Sequence, residues 1–171
     1  MKNKKAFLYG TVFGLLAVAF GNELFQALIA FLTGNSEYSI NFNYFTIVTE
    51  IYADSSLPLF EATLLFVSPI IFSIAVIEFA HFLMKRKPAG TTRFSLVIFN
   101  LIVAGYLIVK FFYGAFVSIV SPEIYSDWSG LLNYFEAEFS TKLVLSLFSI
   151  ILLTGYFNLS SKRVMKYIGG K

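Results

Sequence analysis

Residues 57–93 read LPLFEATLLFVSPIIFSIAVIEFAHFLMKRKPAGTTR, and this stretch decides the fold class. The apolar run from Leu57 to Met84 is longer than the ~20 residues that a helix needs to cross the hydrocarbon core of a bilayer. A basic segment without any acidic residue follows it at once. Because short basic loops stay on the cytoplasmic side, the pattern predicts a membrane-spanning helix that ends in the cytoplasm.

Three other apolar runs have the same character. The sequence predicts transmembrane helices over about residues 6–32, 57–84, 94–120 and 141–159. The chain of 171 residues is 57% hydrophobic and 13% charged, whereas a soluble domain is about 25% charged. We therefore expect an all-α integral membrane protein built as a single multi-pass domain over residues 1–171. The first run is too long for the apolar region of a cleaved signal peptide.

The basic residues fix the expected orientation. Eleven of the 13 lie in residues 1–5, 85–93 and 162–171, which contain no acidic residue. Acidic residues lie instead in the two remaining connections, between residues 37–54 and 123–138. The positive-inside rule then places both termini and the central loop in the cytoplasm, with four crossings between them. We expect the basic clusters to contact anionic membrane lipids, and they require no nucleic-acid partner.

The two acidic connections have different sequence patterns. Residues 37–48, EYSINFNYFTIV, alternate in part between polar and apolar positions and are rich in strand-forming residues. They predict a short β-like segment, a strand or hairpin, in the first outer loop. Residues 121–140 contain several aromatic side chains, which predict a segment that lies in the membrane interface or folds back toward the bundle.

Polar side chains inside the predicted spans are the main candidates for function, because each one is costly to place in a bilayer. The densest group is Asn22, Glu23 and Gln26 in the first span. Asn22 and Gln26 are four residues apart, so they share one helix face. Helix packing through interhelical hydrogen bonds is one explanation of this group. The other explanation is that these residues line a polar crevice that binds a ligand.

The sequence NELFQALIAFLTG at residues 22–34 resembles the zinc-binding helix of the site-2-protease-like intramembrane zinc metalloproteases. That helix typically carries H-E-x-x-H, then Ala-Leu and a later Gly. The strand-like outer segment, the Ser-Pro step at residues 68–69 and the SDW sequence at residues 126–128 follow in the order found in that family. The resemblance implies the family's fold. It also implies that Glu23 matches the general base and that Asp127 matches the third metal ligand. We expect the protein to lie in the bacterial cytoplasmic membrane.

The chain departs from the family at both motif histidines, which are replaced by Asn22 and Gln26. Amide side chains offer only a carbonyl oxygen, which suits hard cations and binds zinc poorly. Without zinc, no bound water is activated for Glu23. We therefore expect a degenerate member with no catalytic residue, no metal and no cofactor. In this hypothesis Asn22, Glu23, Gln26 and Asp127 line the former active-site crevice, which binds a transmembrane or lipid-like partner.

Other functions remain open at the level of sequence. An atypical metal-dependent membrane hydrolase would hold a harder ion than zinc between Glu23 and Asp127, with help from Asn22 and Gln26. A small transporter would use charged residues of several spans as a polar path, and an assembly subunit of a larger membrane complex would need no chemistry of its own. The absence of cysteine excludes thiol chemistry, and the single His81 excludes a zinc site built on several histidines of this chain.

Further charged residues lie within the second and third spans. Lys110 is expected to pair with a membrane carboxylate, either Glu61 or Glu23, or to extend along its helix toward the interface. Glu78 and His81 are three residues apart near the cytoplasmic end of the second span. They resemble part of a zinc motif, but they lie at the opposite end of the bundle from Asp127, so we expect an interfacial hydrogen-bonded pair.

Overall fold

A computed structural model of the protein describes residues 2–34, 38–43, 46–51, 57–87, 90–120 and 126–168. Within these ranges the helices are α1 (Lys2–Leu16), α2 (Asn22–Leu32), α3 (Leu59–Arg86), α4 (Thr91–Val120), α5 (Asp127–Tyr134) and α6 (Phe139–Ile168). A π-helical turn, Ala17–Gly21, joins α1 to α2 without a break. Two antiparallel strands, β1 (Tyr38–Asn43) and β2 (Thr46–Ile51), form a hairpin.

Four helical segments are long and apolar enough to cross a membrane, namely Lys4–Leu32, Leu59–Arg86, Thr91–Val120 and Phe139–Tyr167. They confirm the all-α integral membrane class and the number of spans. The predicted ends agree to within three residues, except at the end of the last helix. There the helix continues for two turns of basic and apolar residues past residue 159, where the predicted span ends. Basic residues near a helix C-terminus interact favourably with the helix dipole.

The helix α4 is the centre of the bundle, since α1, α3, α5 and α6 all pack against it. α1 runs parallel to α4 and approaches it closely at Gly10, where an added Cβ would lie 2.5 Å from the backbone oxygen of Ser95. α3 runs antiparallel to α4, and the amide of Asn100 donates a hydrogen bond of 2.9 Å to the carbonyl of Ile77. The contact at Gly10 fits the general rule that small residues allow two membrane helices to approach closely.

The interior is apolar along most of the bundle. Val18, Ile77 and Val103 are buried in a central cluster, and Met84 and Val164 belong to a second cluster at one end. Large apolar side chains also cover the outside, which is the surface expected for a protein whose solvent is lipid. The second cluster lies beside the N-terminus of α4 and the C-termini of α3 and α6, and we call this end of the bundle the basic end.

The hairpin and α5 lie at the opposite end. The hairpin confirms the predicted β-like segment in the connection after the first span, and β2 packs against α2 and the π-helical turn. α5 packs against both α3 and α4, so the segment that carries it folds back onto the bundle. Gly130 permits this packing, because an added Cβ would lie 2.6 Å from a ring atom of Phe66.

Candidate functional site

The π-helical turn comes directly before the residues that the sequence singled out. Such turns insert an extra residue into a helix, and they are frequent at functional sites. Gly21 ends the turn against the ring of Phe72 in α3, where an added Cβ would lie 2.6 Å from the ring. The start of α2 is therefore held close to α3, and the first turn of α2 faces the interior of the bundle.

Asn22 is the first residue of α2 and is only 1% exposed. Its amide oxygen accepts a hydrogen bond of 3.0 Å from the hydroxyl of Ser73. Its amide nitrogen lies 3.4 Å from the carbonyl of Val18, to which it donates. Both ends of the Asn22 amide therefore have partners in the protein, and its main contact joins the first span to α3.

Asp127 is brought to the bundle by the start of α5. Ser126 caps this helix, since its hydroxyl accepts a hydrogen bond of 3.0 Å from the backbone of Ser129. The hydroxyl of Ser129 in turn accepts a hydrogen bond of 2.8 Å from the backbone of Ser126. The next residue, Trp128, donates a hydrogen bond of 2.8 Å to Ser146 of α6. These contacts fix the first turn of α5 and thereby the position of the Asp127 carboxylate.

Three helices contribute to the polar cluster, which we define as Glu23, Gln26, Lys110 and Asp127. The amide nitrogen of Gln26 donates a hydrogen bond of 2.8 Å to Oδ1 of Asp127. Nζ of Lys110 lies 3.0 Å from Oδ2 of Asp127 and 3.2 Å from Oε1 of Glu23. Of the two partners expected for Lys110, the structure selects Glu23 and not Glu61, and it adds Asp127.

The cluster contains two carboxylates and one ammonium group. Within the described part of the chain, Lys110 is the only cationic side chain that forms an ion pair with either carboxylate. The phenol of Tyr106 is close enough to interact electrostatically with all three charged groups. With both carboxylates ionised the cluster carries one net negative charge, and such a charge in a membrane is costly unless it is paired.

Gln26 has no exposed surface, and its amide oxygen has no hydrogen-bond partner among the described residues. Its orientation follows from its neighbour, because the amide nitrogen must face the carboxylate of Asp127. A buried acceptor without a donor costs about 1–3 kcal/mol. The oxygen of Gln26 is therefore a buried acceptor that lacks a donor among the described residues, while the amide nitrogen is hydrogen-bonded to Asp127.

The residues of the cluster do not fit zinc. No group of three or more His, Cys, Asp or Glu side chains in the described ranges could hold a metal ion. A protonated amine cannot act as a ligand, and Lys110 contacts the two carboxylates that would serve as oxygen ligands. Gln26 presents a donor nitrogen to Asp127 and Asn22 directs its oxygen at Ser73, so neither amide adds a lone pair between the carboxylates.

The structure brings three of the four predicted site residues together, namely Glu23, Gln26 and Asp127. Asn22 faces α3 instead, where it binds Ser73. Sequence reasoning missed Ser73, and it missed the contact between Lys110 and Asp127. An isolated lysine inside an apolar helix signals that a carboxylate lies nearby, but it does not say which one.

The predicted hydrogen bond between Glu78 and His81 is wrong. The carboxylate of Glu78 accepts hydrogen bonds from Tyr156, at 3.0 Å, and from Arg163, at 3.1 Å, both in α6. His81 packs edge-on against the ring of Tyr167, with 5.5 Å between the ring centroids. Arg163 and Tyr167 lie in the part of α6 beyond residue 159, whereas Tyr156 lies within the predicted span. Comparisons with protein-family models, with curated proteins and with solved structures find no match to the chain.

Proposed function

We propose that the chain is a proteolytically inactive relative of the site-2-protease-like intramembrane metalloproteases, and that it binds a transmembrane or lipid-like partner at the polar cluster. The motif NELFQ at residues 22–26 supports the relationship, and the environment of Lys110 supports the loss of activity. The single observation that carries the proposal is that the ammonium of Lys110 contacts both Glu23 and Asp127. These are the residues that the resemblance matches to the general base and to a metal ligand.

In this proposal the ammonium of Lys110 balances the charge of the carboxylates, as a metal ion would in an active protease. The ammonium of Lys110 already neutralises one carboxylate, so a divalent ion at the same place would meet electrostatic repulsion. The hydrolase alternative requires Asn22 and Gln26 to turn their oxygens toward the ion. Their present hydrogen bonds direct the Asn22 oxygen to Ser73 and the Gln26 nitrogen to Asp127. The cluster therefore favours binding over metal-dependent hydrolysis.

Binding is supported by the access that the cluster retains. The side chains of Lys110, Asp127 and Glu23 are 30%, 16% and 13% exposed, so polar atoms reach the surface of an otherwise apolar bundle. A partner inside a bilayer must satisfy its own polar groups. A hydroxyl, an amide or a local break in a transmembrane helix would find both donors and acceptors here.

The experiment on activity compares the unmodified chain with three variants. We expect purified protein to contain far less than one equivalent of zinc and to leave a model transmembrane peptide uncut. Adding zinc to the Asn22→His, Gln26→His double variant tests the role of the lysine. We expect it to bind zinc weakly until Lys110→Met is added. One equivalent of tightly held zinc in the unmodified chain, with peptide cleavage that is lost in Glu23→Gln, would overturn the proposal.

The experiment on binding uses a photoreactive amino acid at Leu24, which is 51% exposed beside Glu23. A matched control places the same group at Phe148 in α6, which is 58% exposed. We expect a transmembrane peptide or lipid adduct, identified by mass spectrometry, at position 24 alone. The adduct should be lost in Asp127→Asn. Equal adducts at both positions, or an adduct indifferent to Asp127→Asn, would show that the cluster recognises no partner.

The proposal includes a bacterial cytoplasmic membrane, and the distribution of basic residues supports an orientation with both termini in the cytoplasm. The chain has no cysteine, so single cysteines can be introduced without background. Lys87→Cys and Glu138→Cys are exposed positions at the two ends of the bundle. We expect a membrane-impermeant thiol reagent added to intact cells to label only Glu138→Cys. Labelling of Lys87→Cys alone would reverse the orientation.

A further inference from the structure

A cavity of about 630 Å³ lies between α1, α3 and α4 at the basic end, away from the polar cluster. Ligand pockets in proteins commonly measure about 300–1,000 Å³. Phe13 of α1 and Phe79 of α3 line the cavity, and each is 61% exposed on the outer surface of the bundle. The cavity therefore opens sideways toward the bilayer, and we call it the lateral groove.

The polarity of the lateral groove changes along its length. Tyr9, Thr92 and Ser95, which carry hydroxyl groups, line the groove near the start of α4, at the basic end, and the hydroxyl of Ser95 donates to the carbonyl of Thr91. Val76 and Phe99 line the part that lies deeper in the bundle. A helix rises 1.5 Å per residue, so Phe99 lies about 10 Å further along α4 than Thr92. A molecule that fits this gradient has a polar head and an apolar chain.

The charge around the polar end has one sign. Lys5 lies one turn before Tyr9 on α1, and Arg86 lies one turn beyond Leu83 on α3, where Leu83 also lines the groove. The guanidinium of Arg86 lies over an aromatic ring at 4.1 Å, which holds it close to the surface of α3. Residues 2–22 and 79–99, which supply most of the lining, contain no acidic residue, and Glu78, just before Phe79, forms an ion pair with Arg163 of α6.

We propose that the lateral groove binds one anionic glycerophospholipid, with its phosphate among the hydroxyl and basic groups and one acyl chain along the apolar part. Basic residues near a membrane surface each contribute about 1 kcal/mol to binding of anionic lipid, or about a fivefold change in affinity. A zwitterionic lipid would gain little from Lys5 and Arg86. A second transmembrane helix would leave the hydroxyl groups and the positive charge without a counterpart. The proposal is independent of the function proposed for the polar cluster.

The experiment locates the lipid by fluorescence quenching. Trp128 is the only tryptophan, so Trp128→Phe provides a silent background. Phe13→Trp then reports on the lateral groove, and Phe148→Trp is a control at 58% exposure on α6. Each protein is reconstituted in vesicles that contain either phosphatidylglycerol or phosphatidylcholine with brominated acyl chains, at equal mole fractions. We expect brominated phosphatidylglycerol to quench Phe13→Trp at a lower mole fraction than brominated phosphatidylcholine, and the two lipids to quench Phe148→Trp equally.

Charge variants test the cause of the preference. Lys5→Gln with Arg86→Gln should lower the preference for phosphatidylglycerol by about 25-fold in relative affinity, from about fivefold for each residue. Lys162→Gln with Lys166→Gln removes the same charge from exposed positions at the same end on α6, and should leave the preference unchanged. Equal quenching of Phe13→Trp by the two lipids, or equal effects of the two charge variants, would overturn the proposal. Unchanged quenching by brominated phosphatidylcholine shows that each variant is folded.

Discussion

The substitution Lys110→Met removes the cation from the polar cluster while keeping a long, flexible side chain. It leaves Glu23 and Asp127 near each other inside the bundle without the ammonium that contacts both, at 3.2 Å and 3.0 Å. We expect the free energy of unfolding to fall, because a carboxylate that loses its partner in a medium of low dielectric must be protonated or drawn toward water. Glu23→Gln with Asp127→Asn should reverse most of this loss, because no charge then remains to be paired.

The magnitude follows from the burial of the ion pairs. Removing one partner of a buried pair costs about 3–5 kcal/mol. The side chain of Lys110 is 30% exposed, so water already solvates part of the ammonium and the loss should be near the lower end, about 3 kcal/mol. Replacing a whole buried ion pair by neutral groups is often neutral or stabilising. The triple variant Lys110→Met, Glu23→Gln, Asp127→Asn should therefore lie within about 1 kcal/mol of the unmodified protein.

The measurement is reversible unfolding in mixed micelles, followed by far-ultraviolet circular dichroism. Lys142→Met is the matched control, because the ammonium of Lys142 donates a hydrogen bond to the side chain of Asn133 at the exposed surface, outside the polar cluster. Lys142→Met should lower the free energy of unfolding by no more than about 0.5 kcal/mol, as for most surface substitutions. The reasoning is refuted if the triple variant is less stable than Lys110→Met, since the carboxylates would then stabilise the bundle without the ammonium.

Three further substitutions test the contacts that position the cluster and the basic end, all by the same unfolding measurement. Gly130→Val would place a side chain against the ring of Phe66, so we expect α5 to be displaced with a loss of about 1–3 kcal/mol; an unchanged protein would mean that α5 packs less closely than the structure has it. Trp128→Phe keeps an aromatic ring but removes the indole hydrogen bond to α6, and should cost about 1 kcal/mol. Glu78→Gln breaks an ion pair with Arg163 whose side chains are 42% and 45% exposed, so the loss should be below about 1 kcal/mol; a loss above about 2 kcal/mol would contradict a solvated pair.

Hydropathy was enough to predict the four spans, because a bilayer imposes both the length and the apolar character of every crossing helix. The hairpin was predicted from alternation in residues 37–48. The continuation of α6 past residue 159 was not predicted, because its last turns are too polar for a hydropathy criterion. These turns are helical through local propensity and through the packing of Val164. The π-helical turn before Asn22 also escapes prediction, because it depends on the contact of Gly21 with α3.

The composition of the polar cluster depends on a tertiary event that no spacing rule contains. The helix period placed Asn22 and Gln26 on one face, but the structure directs Asn22 to Ser73, and Asp127 lies outside every predicted span. It reaches Lys110 only because the Ser126 cap starts α5 and α5 folds back onto α3 and α4. Once Asp127 lies beside Glu23, the charges of the two carboxylates determine what else the cluster must contain. Two carboxylates in an apolar bundle require a cation, and a lysine with both within 3.2 Å supplies one without any metal.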